Sequence, residues 1–365
     1  MDQRRVRDRG IVVGSMPCGT YNRITDVPGV RVGHCTVDTE RHKTGVTVIL
    51  PAPGNLFREK VVGAVHVING YGKSAGLMQI AELGTIEAPI ALTGTLNVGL
   101  VTDAMIAAVQ AQCQSDGTGA IPSVNIPVGE TNDGTLNDFS ERAVGQSEVF
   151  AALRDAQGSP AFALGDVGAG KGTICFGLKG GIGSASRQME IGGRTFTLGV
   201  LVQTNFGRLD DLLVAGYPAG AAIRRIVSAP PAPEDKGSCM IIIGTDLPVS
   251  HRQLSRILRR AAVGLVRTGS FVGHGSGDVV LGFTTANRLC REQDDLRQVT
   301  QLREEALDGA FRAAAESVEE AILNSLCTAD RVTATGMGVA GNETVTLAGF
   351  SEFLPALLPA LRGRG

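Results

Sequence analysis

Short apolar runs, most of them flanked by glycine, occur along the whole chain and constrain its fold more than any other sequence feature. They are too short for typical globular helices and fit buried strands. Five runs have this character: Gly45–Leu50, Val61–Ile68, Phe196–Val202, Cys239–Ile243 and Asp278–Thr284. Glycine supplies 49 of the 365 residues without any repeat period, so it marks tight turns and close backbone approaches between these elements.

Segments with helical periodicity alternate with the predicted strands. Apolar residues recur at helical spacing over His251–Leu265, opposite a row of arginines, and Ser250 with Gln253 predicts a capping box at the start of this helix. Leu302–Leu326 is predicted to be a second, amphipathic helix and Asn97–Gln112 a third. Interleaved strands and helices indicate an α/β or α+β protein whose layers pack around a sheet.

Length and charge exclude several classes of function. The 365 residues correspond to about two domains or to one large layered unit. Lys and Arg (34) nearly balance Asp and Glu (36), so there is no basic face for nucleic acid. No stretch approaches the roughly 20 apolar residues of a membrane span, and Met1–Gly10 lacks the apolar core of a signal peptide. We expect a soluble, cytoplasmic protein with free thiols that binds neither nucleic acid nor membrane.

Three familiar motifs are incomplete. Gly165–Thr173 resembles a phosphate-binding loop, but Gly172 stands where that loop needs Ser or Thr, so we interpret the segment as a glycine-rich turn. The histidines form no metal-binding motif and Glu130–Gly134 misses the calcium-loop register, so we expect no metal and no other cofactor. His274 lies near Ser276, but the sequence around them is not that of a nucleophile elbow.

A polar, proline-rich connector runs directly into the apolar strand at Cys239–Ile243. Composition alone favours an interdomain linker over residues 229–237. The junction Gly237-Ser238 also suits a serine that is activated by its own α-amino group, whose pKa is about 7.7–8.0 in isolated peptides. Such a serine must first be released by cleavage. Glycine leaves the attacked carbonyl open, a flexible connector allows that peptide to be strained, and the strand holds the new N-terminus.

Ordered sequence blocks resemble the DmpA/BapA family of self-processing N-terminal serine aminopeptidases over nearly the whole chain. The blocks are Ile24–His34, Gly72–Leu77, Val128–Thr131, Leu136–Asp138, Gly165–Gly170, Lys179–Gly183, Leu201–Gly207, Gly237-Ser238 and Gly275–Asp278. The resemblance implies an α+β fold of four layers, an αββα sandwich similar to N-terminal nucleophile hydrolases but with its own connectivity. It also implies a single such domain over residues 1–365, cleaved into an α chain (1–237) and a β chain (238–365) and assembled as a homo-oligomer of αβ units.

The same resemblance implies roles for four residues. Ser238 matches the family's nucleophile, and Asn205 matches a side-chain donor of the oxyanion hole. Ser276 and Asp278 match a pair that hydrogen-bonds near the nucleophile's amine and shuttles its proton. Taken alone, Ser276 and Asp278 would be interpreted as turn-capping residues.

The resemblance also implies how the substrate binds. Glu130 matches the carboxylate that receives the free ammonium group of a small peptide, amide or ester, which limits hydrolysis to the N-terminal residue. Some members carry Tyr where this chain has Asn132, so the preferred acyl group stays open. The competing interpretations are a related amidohydrolase for nylon-type oligomers or pantetheine, an acyltransferase with the same kind of nucleophile, and a non-enzymatic binding or scaffold protein.

Overall fold

A computed structural model describes residues 3–227, 237–291, 296–335 and 344–362. The strands are β1 Arg31–Asp38, β2 Lys43–Leu50, β3 Glu59–Gly70, β4 Thr85–Ile86, β5 Ile90–Gly94, β6 Val128–Thr131, β7 Ile174–Cys175, β8 Leu178–Lys179, β9 Ile182–Ile191, β10 Arg194–Asn205, β11 Ser238–Thr245, β12 Gly277–Cys290, β13 Val332–Thr335 and β14 Thr344–Leu347. The helices are α1 Leu77–Leu83, α2 Val98–Ser115, α3 Gln146–Asp155, α4 Ala219–Ile226, α5 His251–Leu258, α6 Ala261–Arg267, α7 Asp308–Cys327 and α8 Leu354–Arg362.

Two mixed sheets form the centre of the molecule. The four-stranded sheet has the order β1-β2-β5-β6, and the six-stranded sheet has the order β4-β3-β12-β11-β10-β9. The pairs β5·β6 and β11·β12 are parallel, whereas the other neighbours in both sheets are antiparallel. Two short hairpins, β7·β8 and β13·β14, lie outside these sheets.

Strand β11 shows how the layers are held together. Its residues Cys239, Ile241 and Ile243 belong to the apolar cluster shared with α5, α6 and α7, whereas Met240 and Ile242 belong to the cluster between the two sheets. A third cluster joins the outer face of the four-stranded sheet to α2 and α3. Because successive side chains of a strand point to opposite faces, one strand contributes to two interfaces. The result is the predicted αββα sandwich.

The five predicted strands are all present, and the helices differ from prediction mainly at one break. The single helix expected over His251–Leu265 consists of α5 and α6, which keep the same buried face. Between them the Arg260 N–H donates to the Ile257 carbonyl at 2.9 Å, a tighter i→i−3 bond that ends the α-helical pattern. The predicted capping box of Ser250 and Gln253 at the start of α5 is confirmed.

Helix α7 differs from prediction in its environment. It begins at Asp308, six residues later than expected, and it is buried on nearly all sides instead of exposing a polar face. Its acidic residues Glu316 and Glu320 form ion pairs with Arg187 of β9. After the exposed Arg312, the polar residues of the amphipathic pattern therefore form a charged interior contact and not a solvent-facing surface.

The segment Gly165–Thr173 is a turn, as predicted. It contains a short 3₁₀ helix, Gly168–Gly170, and leads into strand β7 where a phosphate-binding loop would need a helix. Lys171, the lysine of the apparent motif, forms ion pairs with Asp38 and Asp166. Its charge is therefore used to hold the turn.

The seven cysteines, all within the described residues, are thiols that form no disulfide bond, as expected. Within the described ranges, no helix combines the length and apolarity that crossing a membrane requires. The same part of the chain contains no group of three or more His, Cys, Asp or Glu side chains that could hold a metal ion.

Candidate active site

A cavity of about 840 Å³ opens where β10 ends and β11 and β12 begin. It is lined by five of the seven residues singled out in the sequence: Glu130, Asn132, Asn205, Gly237 and Ser238. The other two, Ser276 and Asp278, do not line it, although their neighbours Gly275 and Gly277 do. Cavities of 300–1,000 Å³ are typical of small-molecule sites.

Ser238 is the first residue of β11 and is held by strands on both sides. It pairs with Asn205 of antiparallel β10 and with Gly277 of parallel β12. Alternation along β11 places its side chain on the face of Met240, towards the space between the sheets. Although only 7% exposed, Ser238 borders the cavity. Its hydroxyl therefore lies at the inner wall of the site on a rigid backbone.

Gly237 occupies a position that admits no side chain. A Cβ atom there would lie 2.4 Å from the Cα of Phe206 and 2.7 Å from the carbonyl oxygen of Asn205. The Gly237 carbonyl accepts a hydrogen bond from the Gly277 N–H at 3.1 Å. The rest of the predicted linker, residues 229–236, lies outside the described residues.

Asn205 is oriented by a single backbone contact. Its Oδ1 accepts a hydrogen bond from the Ile174 N–H at 3.0 Å. Because a backbone N–H can only donate, this contact fixes which side-chain atom is oxygen and directs the Nδ2 group away from Ile174. Asn205 also lines the cavity beside Ser238. Its Nδ2 group is therefore available to donate a hydrogen bond to an atom bound in the cavity.

Glu130 is buried (3% exposed) on β6, yet its carboxylate is held by neutral groups. Oε1 accepts from the Lys73 N–H at 2.7 Å, and Oε2 accepts from the Thr95 hydroxyl. Within the described residues, none of the ion pairs includes Glu130. The cavity therefore contains a negative charge that no cationic side chain there neutralises, as a site for a ligand cation requires.

Asn132 and Asp133 follow Glu130 and lie in different environments. Asn132 is exposed at the cavity, and its Oδ1 accepts from the Gly134 N–H at 2.8 Å. Asp133 is buried and accepts hydrogen bonds from Thr44 at 2.6 Å and from Asn137 at 3.3 Å. Burial, with a smaller contribution from the charge of Glu130, raises the pKa of Asp133 to about 6.

Asp278 is almost completely buried, and its position limits how it can act. It pairs with Cys239 in the parallel β11·β12 register, so its side chain lies on the face opposite that of Ser238. Burial, followed by the charge of Asp278, raises the pKa of the Cys239 thiol well above its ordinary value. A role for Asp278 must therefore be exerted through the backbone amine of Ser238 or through Ser276, and not on the Ser238 hydroxyl.

Ser276 is equally buried in the turn before β12. Its carbonyl accepts hydrogen bonds from the Asn69 side chain and from the Tyr71 N–H, which fixes the turn. His274 is exposed and its ring packs against Tyr71, at the mouth of the cavity. As the sequence suggested, His274 and Ser276 do not form a Ser–His arrangement in the structure.

Two residues near the site, Thr95 and Lys179, were not predicted as site residues from the sequence. Thr95 follows β5 and reaches Glu130 because β5 and β6 are parallel and end side by side. Lys179 is completely buried, and its Nζ donates to the carbonyls of Gly170, Thr173 and Gly180. Burial lowers its pKa to about 7. No sequence signal marks Thr95, whereas Lys179 lies in a block that carries the family resemblance.

Comparison with known proteins identifies the family of this chain and shows its fold in solved structures. The sequence profile of Peptidase family S58 matches residues 22–339. The chain belongs to peptidase family S58. A curated relative of this S58 peptidase, beta-peptidyl aminopeptidase BapA from Sphingosinicella xenopeptidilytica, is 38% identical over 351 residues, which cover 90% of this chain and 86% of the relative.

Solved structures of similar proteins share the fold of the S58 peptidase. A Burkholderia sp. beta-aminopeptidase superposes with a TM-score of 0.86 at 38% identity, over 98% of this chain and 99% of its own. The l-aminopeptidase d-ala-esterase/amidase from Ochrobactrum anthropi superposes with a TM-score of 0.87 at 33% identity, over the same shares of the two chains. The Ochrobactrum protein is described as a prototype for the serine aminopeptidases and a new variant among the Ntn hydrolase fold. The resemblance and the fold class predicted from the sequence are confirmed.

Proposed function

We propose that this S58 peptidase is a self-processed N-terminal-nucleophile enzyme that releases the N-terminal residue from short peptides, amino-acid amides or esters. Family membership makes it a serine-type aminopeptidase. The observation that carries the finer proposal is the position of Ser238, the first residue of a buried strand, between Asn205 and Gly277 in the same cavity as Glu130. The proposed single αββα domain over residues 1–365 would then consist of an α chain (1–237) and a β chain (238–365).

Self-processing would begin with attack of the Ser238 hydroxyl on the Gly237 carbonyl carbon. The C–N bond breaks as the C–O bond forms, the nitrogen takes the hydroxyl proton, and the resulting ester is hydrolysed by water to the Gly237 carboxylate and the free Ser238 amine. The hydrogen bond from the Gly277 N–H to the Gly237 carbonyl supports this step, because it polarises the bond under attack.

Substrate hydrolysis would use the amine that processing releases. The Ser238 hydroxyl attacks the first carbonyl of the substrate while the amine takes its proton, and the amine then protonates the leaving nitrogen. Asn205 Nδ2 would donate to the oxyanion, and loss of one such donor typically lowers kcat by about 10²–10³. Water then hydrolyses the acyl-enzyme. Ser276 and Asp278 would hold the amine and exchange its proton.

Glu130 would select substrates by their free amino group. Its carboxylate is positioned by Lys73 and Thr95 but lacks a cationic partner among the described residues, so a substrate ammonium completes the pair. Asn132, at the edge of the cavity, would contact the acyl group. The relatives described as beta-peptidyl aminopeptidase and as l-aminopeptidase d-ala-esterase/amidase indicate that α- and β-amino acyl substrates should both be assayed.

The mass of the purified protein under denaturing conditions, with N-terminal sequencing of the smaller fragment, tests the proposal. We expect two chains, the shorter beginning Ser238-Cys239-Met240, and we expect Ser238→Ala to remain a single, inactive chain. Cys239→Ala is the matched control, because Cys239 is the next residue but faces the opposite side of the sheet; it should still be cleaved. Cleavage of the Ser238→Ala protein would refute the proposal.

Product analysis separates the remaining alternatives. Hydrolysis of amino-acid p-nitroanilides, with no added product when an acceptor amine such as glutamate is supplied, supports an aminopeptidase. Formation of an acylated acceptor would instead favour an acyltransferase, and activity confined to substrates without a free amine would favour a different amidohydrolase. The predicted homo-oligomer of αβ units is tested by the solution mass of the processed protein.

A further inference from the structure

We propose that Lys179 is a positioning residue of the active site, whose buried ammonium group orients and polarises Asn205 through the peptide group that joins Thr173 to Ile174. The inference rests on the proposed function, since it assumes that Asn205 Nδ2 donates to the oxyanion. It adds to that function a charged residue that does not line the cavity.

The connection consists of two hydrogen bonds on a single peptide group. Lys179 Nζ donates to the Thr173 carbonyl at 2.8 Å. The N–H of that same peptide belongs to Ile174 and donates to Asn205 Oδ1 at 3.0 Å. A positive charge at the oxygen of an amide makes its N–H a stronger donor, and a stronger donor at Oδ1 makes the Nδ2 hydrogens of Asn205 more positive. The chain of bonds thus ends where negative charge develops during the reaction.

A tight hairpin holds Lys179 beside the peptide group that it contacts. Ile174 of β7 pairs with Lys179 of β8, and the turn between the strands, Phe176-Gly177, has positive φ at both residues (51° and 71°). Two-residue turns with positive φ at both positions match the twist of a hairpin. Lys179 is thereby placed opposite the peptide that it contacts.

The bonding of Lys179 is unusual for a buried cation. Its three hydrogen bonds go to the carbonyls of Gly170, Thr173 and Gly180, and none goes to a carboxylate. By contrast Lys171, buried in the turn whose carbonyls Lys179 contacts, pairs with Asp38 and Asp166. A buried charge without a direct counter-ion is costly for folding, and such groups are concentrated at functional sites. Three donated hydrogen bonds require the ammonium form of Lys179, and a positive charge beside an oxyanion hole stabilises the transition state more than the ground state.

A double-mutant cycle on the full, self-processed protein tests the connection. An oxyanion donor is worth about 100- to 1,000-fold in kcat, so we expect Asn205→Ala to cause a loss of that order and Lys179→Met a loss of about tenfold with KM nearly unchanged. Because Lys179 acts through Asn205, Lys179→Met in the Asn205→Ala background should lower kcat by less than about twofold. Additive losses, or a Lys179→Met protein with the kcat of the parent, would overturn the proposal.

Lys171→Met is the matched control. It removes a buried lysine from the turn that Lys179 contacts, but no bond to the Thr173–Ile174 peptide. Its kcat should therefore stay within about twofold of the parent even if its thermal stability falls. An equal loss of kcat in Lys171→Met and Lys179→Met would show that both lysines only hold the turn, which contradicts the inference.

A second variant keeps the test independent of the fate of Lys179→Met. If that protein does not fold, Ile174→Pro can be used instead. It removes the N–H that donates to Asn205 Oδ1 and leaves Lys179 in place, so the same loss of kcat is expected. A folded Ile174→Pro protein with unchanged kcat would refute the connection. An unaffected Asn205→Ala protein would instead refute the role of Asn205 in the proposed function, so the two failures are distinguishable.

Discussion

Two of the regions that contain buried carboxylates differ in how the negative charge is balanced, and one of them pairs each carboxylate with a cation. In the arginine cluster, defined as Arg7, Arg187, Glu316 and Glu320, the fully buried Arg187 donates from Nε to Glu316 at 3.1 Å and from Nη2 to Glu320 at 2.7 Å. Arg7 donates to both oxygens of Glu320 at 2.9 Å. Each carboxylate of this cluster is thus paired with at least one guanidinium group.

In the cavity beside Ser238, the carboxylate of Glu130 has no cationic partner among the described residues. Glu130 is as deeply buried, but its two partners are the Lys73 N–H and the Thr95 hydroxyl, both neutral. Neutral donors hold the carboxylate in place without cancelling its charge. The arginine cluster is complete without a ligand and stabilises the fold. In the proposed function, by contrast, Glu130 would gain its cation from the substrate ammonium group.

The arginine cluster also connects the two proposed chains. Arg7 and Arg187 precede residue 237, whereas Glu316 and Glu320 lie on α7, after it. If the chain is cleaved at Gly237-Ser238, these ion pairs become contacts between separate chains. The stability of the processed enzyme would then depend on them.

Among the predicted substitutions, replacing Arg187 should cause the largest change in free energy, measured as lost stability. Arg187→Met leaves Glu316 and Glu320 buried with fewer partners, and breaking a buried ion pair typically costs about 3–5 kcal/mol. Chemical denaturation of the processed protein should show this loss, with the two chains separating at lower denaturant. Arg312→Met is the matched control, since Arg312 approaches the same Glu316 at 3.8 Å but is 66% exposed. A loss for Arg187→Met no larger than for Arg312→Met would contradict the proposed role of the cluster.

Replacing Glu130 should impair substrate binding and spare self-processing. Truncating one partner of a buried charge pair costs about 2–5 kcal/mol, so Glu130→Gln should lower kcat/KM for an amino-acid p-nitroanilide by roughly 30-fold or more. Self-processing involves no substrate ammonium, so the variant should still yield two chains. Steady-state kinetics and denaturing mass measurement together separate the two outcomes.

Thr95→Val sharpens the same experiment. It keeps the carboxylate of Glu130 but removes its hydroxyl donor, so a smaller loss of about tenfold is expected. An N-acetylated substrate, which has no ammonium group, should be hydrolysed poorly by the parent enzyme and equally poorly by both variants. If the parent enzyme hydrolysed the acetylated and free-amine substrates equally well, Glu130 would have no role in selecting the amino group.

An α/β or α+β fold layered around a sheet could be predicted from residues alone, whereas the four-layer arrangement depended on the family resemblance and the charged interior was not predicted at all. The apolar runs that became β2, β3, β10, β11 and β12 are local patterns, and local patterns are what periodicity detects. The acidic residues of α7 look like a solvent-facing surface because their partner, Arg187, lies 129 and 133 residues away in the sequence. No local pattern distinguishes a buried ion pair of that separation from an exposed charge.

The candidate site depended more on the family resemblance than on local pattern. Gly237-Ser238 could be derived from the chemistry of a cleavage junction, whereas Glu130 alone would be interpreted as a solvated loop acid. Its donors, Thr95 and Lys73, lie 35 and 57 residues away, and one of them acts through its backbone. Asp133, which the sequence shows only as one acid in a polar loop, is buried behind the site.

Replacing Asp133 should have the smallest effect on stability. The contribution of Asp133 to stability depends on pH in the opposite direction to that of the arginine cluster. Although burial alone would raise the pKa of Glu316, hydrogen bonds from Met16, Ser15 and Arg187 lower it, so its stabilisation is lost as the pH falls. The pKa of Asp133 is instead raised from 3.8 to about 6. Folded Asp133 therefore binds its proton more tightly than the unfolded chain, and its contribution is lost as the pH rises from about 4 to about 6.

Asp133→Asn should remove this loss of stability between about pH 4 and pH 6. Unfolding in urea at several pH values should show that the stability of the variant relative to the parent increases between about pH 4 and pH 6 and is constant above. Asp138→Asn is the matched control, because its hydrogen bonds from Ser140 and Arg41 lower the pKa of Asp138 to about 2 and place its titration below this window. If Asp133→Asn and Asp138→Asn gave the same pH dependence between pH 4 and pH 6, Asp133 would be ionised in the folded protein. Between pH 4 and pH 6 the cavity would then border two adjacent negative charges instead of the single charge that one substrate ammonium can neutralise.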